Sequence, residues 1–185
     1  MIKVLHILST SVFSGAENVV CQIINMFEDN SQISMSYCSP SGKIENVLSQ
    51  KGITYIPIKK VSISEISRVV QENKPDIIHA HDIRASVVAS ICHKKIKLVS
   101  TIHVNDIKMR KFSIKSLSSI LILKEATHIF WVSYSCMNEY FFKKFAIEKS
   151  SVLQNVINRY ELLEKIKEDH DEYKYDVIYL GDALV

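Results

Sequence analysis

Short apolar runs alternate with stretches of helical period along the chain. The runs are IKVLHIL (2–8), ISMSYC (33–38), ITYIPI (53–58), DIIHAH (76–81), IKLVSTI (96–102), HIFWVS (128–133), SVLQNV (151–156) and YDVIYL (175–180). Several are apolar on both faces, as strands of a parallel sheet must be when helices cover it on both sides. Between them, Val19, Val20, Ile23, Ile24 and Phe27 line one face of a helix. Ser62 and Glu65 stand in a capping-box spacing at the head of SEISRVVQENK, which Pro75 closes. Ala85, Val88, Ala89 and Cys92 form another stripe, and Met137, Phe141 and Phe145 a further one. Alternating strands and helices imply right-handed crossovers and an α/β, doubly wound parallel sheet with helices on both faces.

Residues 158–174, NRYELLEKIKEDHDEYK, break this rhythm. They are dense in charge, with Leu162, Leu163 and Ile166 to one side, and predict a solvated helix and linker leaving a first domain of residues 1–157. The last stretch, YDVIYLGDALV (175–185), reads as a strand followed by the glycine of a strand-to-helix turn, the opening of a further unit.

Composition narrows the class. A chain of 185 residues with 47% hydrophobic and 23% charged residues is that of a soluble globular protein able to bury one good core. A net charge of +3 is too small to argue for nucleic acid. Cys21, Cys38, Cys92 and Cys136 are scattered without a Cys-x-x-Cys pair and read as reduced core residues. The N-terminus MIKVLHILSTS lacks the pattern of a signal peptide, and no apolar run reaches the roughly 18 residues of a membrane span. These features predict a cytoplasmic protein.

The unusual polar residues collect at the carboxyl ends of the expected strands, where open α/β sheets bind ligands and helix N-termini offer unpaired N–H groups. After the first strand, STSVFSGAEN leads to Gly15, which admits close backbone approach to a ligand, with Ala16 and Glu17 opening a helix; a flexible turn capped by Ser14 explains the segment equally well. It carries neither a G-x-G-x-x-G fingerprint nor the lysine of a P-loop. After the fourth strand, His79 and His81 share a face beside Asp82. With His103 they form a candidate metal set for a His/Asp hydrolase, or the pair ends the strand with one ring in the core and one lining a cleft. His103, in STIHVND, is placed to donate to a ligand oxygen or to act as acid or base, or is a surface histidine. Ser133 and Ser135 open a helix, with Ser135 a credible N-cap, and Asn155 and Asn158 follow the seventh strand. The Asp-x-Asp mimic at Asp169 and Asp171 lies in the charge run and reads as solvated. Lys108, Arg110, Lys111 and Lys115, with Phe112 and Ile114 among them, suit an anionic membrane surface or a phosphate-bearing acceptor, or an ordinary exposed loop.

Taken in order, MIKVLHILSTSVFSGAENVV, KPDIIHAHD, LVSTIHVND, HIFWVSYSCMNEYF and SSVLQNVIN resemble the N-terminal half of a family-four retaining glycosyltransferase of GT-B fold. The resemblance implies a Rossmann-like lobe that holds the acceptor and faces, across a cleft, a second lobe holding a nucleotide-sugar donor. It implies that Gly15 to Glu17 approach the donor diphosphate or the transferred sugar. His81, Asp82, Ser133, Ser135 and Asn155 then join the substrate-binding set, and His103 contacts the sugar near the reacting centre as the catalytic residue. Transfer of this kind needs no metal and no cofactor beyond the donor itself. It serves cell-surface polysaccharide synthesis on a glycan or lipid-linked acceptor, with peripheral contact at the inner face of the membrane. The family's N-G-[IV]-D reads Asn155-Val156-Ile157-Asn158 here, and Asp182 stands where the family favours arginine. On this resemblance residues 175–185 begin a missing donor-binding domain. The expectation is therefore a truncated transferase, inactive alone, or a half that pairs with a separately encoded donor-binding subunit. A nucleotide-sugar 2-epimerase of the same fold would need that second half too.

Overall fold

The structure, a computed structural model, describes residues 1–103 and 106–155, together with Leu163, Ile166 and Lys167. The chain divides into two compact units, Met1–Asn155 and Val156–Val185. The linker expected over 158–174, apart from those three residues, and the strand expected over 175–180 lie outside the described residues.

All seven apolar runs of the first unit become strands: β1 (Ile2–Ile7), β2 (Ile33–Pro40), β3 (Tyr55–Ile58), β4 (Ile77–His81), β5 (Lys97–Ile102), β6 (His128–Trp131) and β7 (Ser150–Val152). They form one sheet in the order β3-β2-β1-β4-β5-β6-β7, and every neighbouring pair is parallel. The winding reverses between β1 and β4, which makes the carboxyl ends of those two strands the switch point of a Rossmann-like fold.

Helices α1 (Gly15–Met26), α2 (Ile44–Gln50), α3 (Ile63–Asn73), α4 (Ile83–Cys92), α5 (Ile114–Ser118), α6 (Ile120–Glu125), α7 (Tyr134–Asn138) and α8 (Lys143–Ala146) complete the unit. Strand alternation sorts the core into two layers. Leu5, Ile7, Ile78, Ala80 and Leu98 point to a cluster with Ile66 and Val69 of α3, Ala85 and Ala89 of α4 and Ile122 of α6. Leu8 and Tyr37 point the other way and pack with Val20, Cys21 and Ile24 of α1 and Ile44 and Leu48 of α2. Each fully buried Leu or Ile removes enough apolar surface from water to contribute about 1.5–3 kcal/mol. Cys21, Cys38, Cys92 and Cys136 are free and buried, as expected, and burial pushes the Cys38 thiol up to about 12.

Two local expectations come out differently. The Ser62 hydroxyl caps α3 by accepting from Glu65 N–H at 3.4 Å, but the Glu65 carboxylate accepts from Lys59 N–H at 3.2 Å instead of completing the capping box. Lys74, in the left-handed region at φ 48°, ends the helix before Pro75. The stripe Met137, Phe141, Phe145 is not one helix face: α7 stops at Asn138 and α8 starts at Lys143, which leaves Phe141 and Phe145 exposed. Among the described residues no helix is long and apolar enough to cross a membrane.

Candidate functional site

The loops leaving β1 and β4 meet at the switch point. Ser9 donates its backbone N–H (3.0 Å) and its hydroxyl (2.6 Å) to one carboxylate oxygen of Asp82. The other oxygen accepts from Ala85 N–H at 2.8 Å and caps α4. Asp82 N–H reaches Thr101 O at 3.1 Å, so a single residue ties β1, α4 and β5 together. Asp82 does this at φ 121° and ψ 163°, a region that side-chain-bearing residues avoid at a cost of about 1–3 kcal/mol. Burial pushes its carboxyl up, against the hydrogen bonds from Ser9 and Ala85 that favour the charged form.

The Gly15 turn is held from within. The buried Glu17 takes the Thr10 hydroxyl at 2.8 Å on one oxygen. Its other oxygen takes Ser14 N–H at 3.1 Å and the Ser14 hydroxyl. Glu17 thus shapes the loop with groups of the loop itself, while α1 begins immediately beyond. A Cβ at Gly15 would meet no atom within 4 Å, so the chain's own packing does not require glycine there.

Between these loops lies a cleft of about 320 Å³ lined by Ser9, Thr10, Ser14, Ala16, Glu17, His81, Asp82, Ile83, Arg84, Ile102, His103, Asp106 and Lys115. That size lies within the range of small-molecule sites, which run from about 300 to 1,000 Å³. His103 sits one residue past the end of β5. Burial lowers its pKa, an effect that the Glu17 carboxylate opposes, and the ring is therefore neutral at pH 7. Its Nε2 lies 3.2 Å from His81 Nδ1, and its Nδ1 is buried without a partner.

The predicted residues share one rim, the carboxyl edge of the parallel sheet, but not one pocket. Ala16, Glu17, His81, Asp82 and His103 line the cleft, with Gly15 in the turn beside it. Ser133 follows β6 and caps α7, accepting from Cys136 N–H at 3.1 Å, the role expected of Ser135. Ser135 instead donates to Glu139 Oε1 at 2.7 Å. Asn155 is exposed just beyond β7. The basic stretch divides as well. Lys115 lines the cleft and pairs with Asp106 at 2.5 Å, Arg110 pairs with Glu139 at 2.8 Å, and Lys108 and Lys111 are exposed.

Among the described residues the candidate metal set does not come together as one group, and the Asp82 carboxylate is engaged by Ser9 and Ala85. The histidines that do come together are His6, His79 and His81, with ring nitrogens within 4.8 Å of one another. The sequence reading passed over His6, Ser9 and Thr10. A histidine inside the otherwise apolar run IKVLHIL was the available signal for the first, since a polar ring in a strand covered on both faces needs a partner.

Comparison with known proteins follows the fold. HepE from Anabaena, solved in complex with UDP and glucose, superposes with a TM-score of 0.70 at 18% identity over 90% of this chain and 50% of its own. The lipopolysaccharide outer core galactosyltransferase WaaB gives a TM-score of 0.63 at 19% identity over 85% of this chain and 46% of its own. A UDP-GlcNAc 2-epimerase from Neisseria meningitidis, bound to UDP-GlcNAc, gives a TM-score of 0.63 at 18% identity, over 90% of this chain and 50% of its own. The chain thus spans about half the length of the solved structures it matches. No curated relative matches the sequence. Residues 14–161 match Glycosyltransferase Family 4, a span that includes the Gly15 turn, the β4 and β5 rim and every strand from β2 to β7. The chain belongs to glycosyltransferase family 4.

Proposed function

We propose that this chain is the acceptor-side lobe of a retaining glycosyltransferase. The enzyme would move a sugar from a nucleotide-sugar donor to a glycan or lipid-linked acceptor in cell-surface polysaccharide synthesis. The observation that carries the reading is the cleft at the switch point, where the open Gly15 turn at the head of α1 and the neutral His103 stand on one rim. UDP in HepE and UDP-GlcNAc in the epimerase support a uridine nucleotide as the donor's leaving group. The family match favours transfer over epimerisation.

In such a reaction the protein positions the two substrates and neutralises charge growing on the departing diphosphate. Open space beside Gly15 admits the donor against the backbone of the turn, and the positive end of α1 favours the phosphate there. His103 contributes a hydrogen bond to the sugar or phosphate oxygen, and no metal enters the scheme. Transfer needs a donor-binding lobe to close over this rim, whether supplied in the same polypeptide or by a separate subunit.

The test is release of UDP from UDP-sugars with a lipid-linked or glycan acceptor. The 185-residue chain is expected to give no turnover alone. It is expected to give turnover when combined with a donor-binding lobe of the same family, and His103→Ala should lower that rate at least 100-fold. Robust turnover by the pure chain alone would overturn the half-enzyme reading. Full activity of His103→Ala in the combined enzyme would remove the histidine from the mechanism.

A further inference from the structure

The loop that leaves β1 carries one wall of the cleft, and three anchors fix it. Ser9 is held by Asp82, and Thr10 and Ser14 are held by Glu17. The third anchor lies at the head of α2. Lys43 opens that helix with helical backbone angles and no side-chain cap, so its first N–H groups need acceptors from elsewhere. Ser11 supplies one, its carbonyl accepting from Ile44 N–H at 2.9 Å. Ile44 is itself buried with Leu8, Val20 and Leu48, which ties the loop to the core layer of α1 and α2.

Gly42 stands at this junction. A Cβ there would lie 2.8 Å from Ser11 Cβ, 3.0 Å from Ser11 Oγ and 3.3 Å from Ser11 O. The hydroxyl can rotate away, but the Cβ and the carbonyl of Ser11 move only with their loop. Ordinary van der Waals contact begins at 3.4 Å, so a side chain at this position has to widen the gap by about 0.6 Å. Unlike Gly15, this glycine is demanded by the close approach of two loops. The Gly42 side is pinned: Ser41 N–H reaches Ile58 O at 3.1 Å at the end of β3, and Gly42 N–H reaches Glu45 Oε1 at 2.9 Å. A displacement therefore passes to Ser11, and through one and two peptide units to Thr10 and Ser9, which line the cleft.

We propose that Gly42 is a positioning residue: its bare Cα is the seat of the β1 loop and sets where Ser9 and Thr10 stand in the cleft wall. The consequence for sugar transfer rests on the glycosyltransferase reading; the seating of the loop does not. A misplacement of about 1 Å in a reacting assembly can cost about 100-fold in rate, so the shorter shift expected here should cost about ten-fold. Gly42 also has φ 158°. Any backbone cost of alanine at that angle is the same whatever stands at position 11, so it cancels when the substitution is compared in two backgrounds. Ser11→Gly supplies the second background, because it removes the Cβ and Oγ against which the new methyl group would press.

The experiment is backbone-assigned 15N–1H NMR of the full chain, followed by kinetics of the enzyme completed with a donor-binding lobe. Ser9 N–H and Ala85 N–H bond opposite oxygens of the Asp82 carboxylate, so the second serves as an internal control for the first. Gly42→Ala should move the Ser9 amide upfield as its bond to Asp82 stretches, and should leave the Ala85 amide in place. General loosening of the fold would move both. Added to Ser11→Gly, the same substitution should leave Ser9 where Ser11→Gly alone puts it. In the completed enzyme Gly42→Ala should lower kcat/KM about ten-fold in the parent and less than about two-fold in the Ser11→Gly background. An unchanged Ser9 in folded Gly42→Ala, or an equal effect in both backgrounds, would overturn the proposal. If neither alanine variant folds, the parent chain decides: Gly42 Hα must show nuclear Overhauser contacts to Ser11 Hβ, and their absence overturns it too. Inactivity in sugar transfer would leave the NMR result standing, so the two readings fail separately.

Discussion

Asp82 does at one position what usually takes several. It caps α4, anchors Ser9 of the β1 loop and bonds β5 through its own N–H, all at φ 121°. Two effects therefore compete in any substitution. Asp82→Ala removes the cap and both Ser9 bonds but keeps a Cβ in the disfavoured region, and should destabilise the chain by about 2–3 kcal/mol. Asp82→Gly loses the same bonds while relieving the backbone, so it should be the milder change by about 1 kcal/mol. Urea midpoints of the two variants measure the difference. If Asp82→Gly is the less stable one, the backbone at this position carries no strain. Both variants release Ser9 and so loosen the loop that frames the cleft, and ligand binding should fall together with stability in each.

At the scale of elements, the strands were legible because buried parallel strands are continuous apolar runs, and each of the seven within the first unit appears near its expected place. The helices were legible where one apolar stripe ran unbroken, as in α1 and α4, or where a capping serine and a closing proline bounded the segment, as in α3. Helix α2 and the pair α5–α6 gave no such stripe, since IKSLSSILILKE bends at Ser119, which is shared as the end of one helix and the start of the next. Met137, Phe141 and Phe145 matched helical spacing without forming a helix because the chain turns at residues 139–142 and throws the phenylalanines outward. The site was legible where polar residues end strands (His81, Asp82, His103) or a glycine opens a helix (Gly15), and illegible where it depends on a partnership across 75 residues, as between His6 and His81. The same misread segments leave Phe112, Ile114, Leu117, Phe141 and Phe145 exposed, with Lys108, Lys111, Lys143 and Lys144 exposed among the same segments. Phe112 and Phe141 touch edge to face at 6.1 Å between centroids, which joins the two segments into one apolar surface. That composition suits a surface of anionic lipid. Cosedimentation with vesicles containing anionic phospholipid should capture the chain and should fall at least five-fold in Phe112→Ser/Ile114→Ser. Equal capture by neutral vesicles would remove the role of the lysines, and no capture at all would remove the membrane.

For the whole molecule, the histidine-lined face makes stability depend on pH. His6, His79, His81 and His103 are all depressed by burial, with Glu17 from α1 raising His103 and, among the described residues, no acid raising the other three. Well above pH 6.5 these rings are neutral in the folded and unfolded chain alike, and the fold keeps its full stability. As the pH falls below that value the unfolded chain takes up protons that the folded chain refuses, so stability declines toward pH 4. Lowering His6 from 6.5 to about 4 is worth about 3 kcal/mol by itself once its window has been crossed. Asp82, whose carboxyl is raised, pulls the other way and recovers part of this as it protonates. The urea midpoint should therefore drop steadily from pH 7 to pH 4.5 in the parent chain, with a shallower slope in His6→Phe, which has one fewer ring to protonate. A midpoint that stays level from pH 7 to pH 5 would mean that water reaches these rings in the folded state. The same drop sets the conditions for sugar transfer: a lobe that loses its fold over this acidic range loses the cleft with it, so binding and stability should fade together as the pH is lowered.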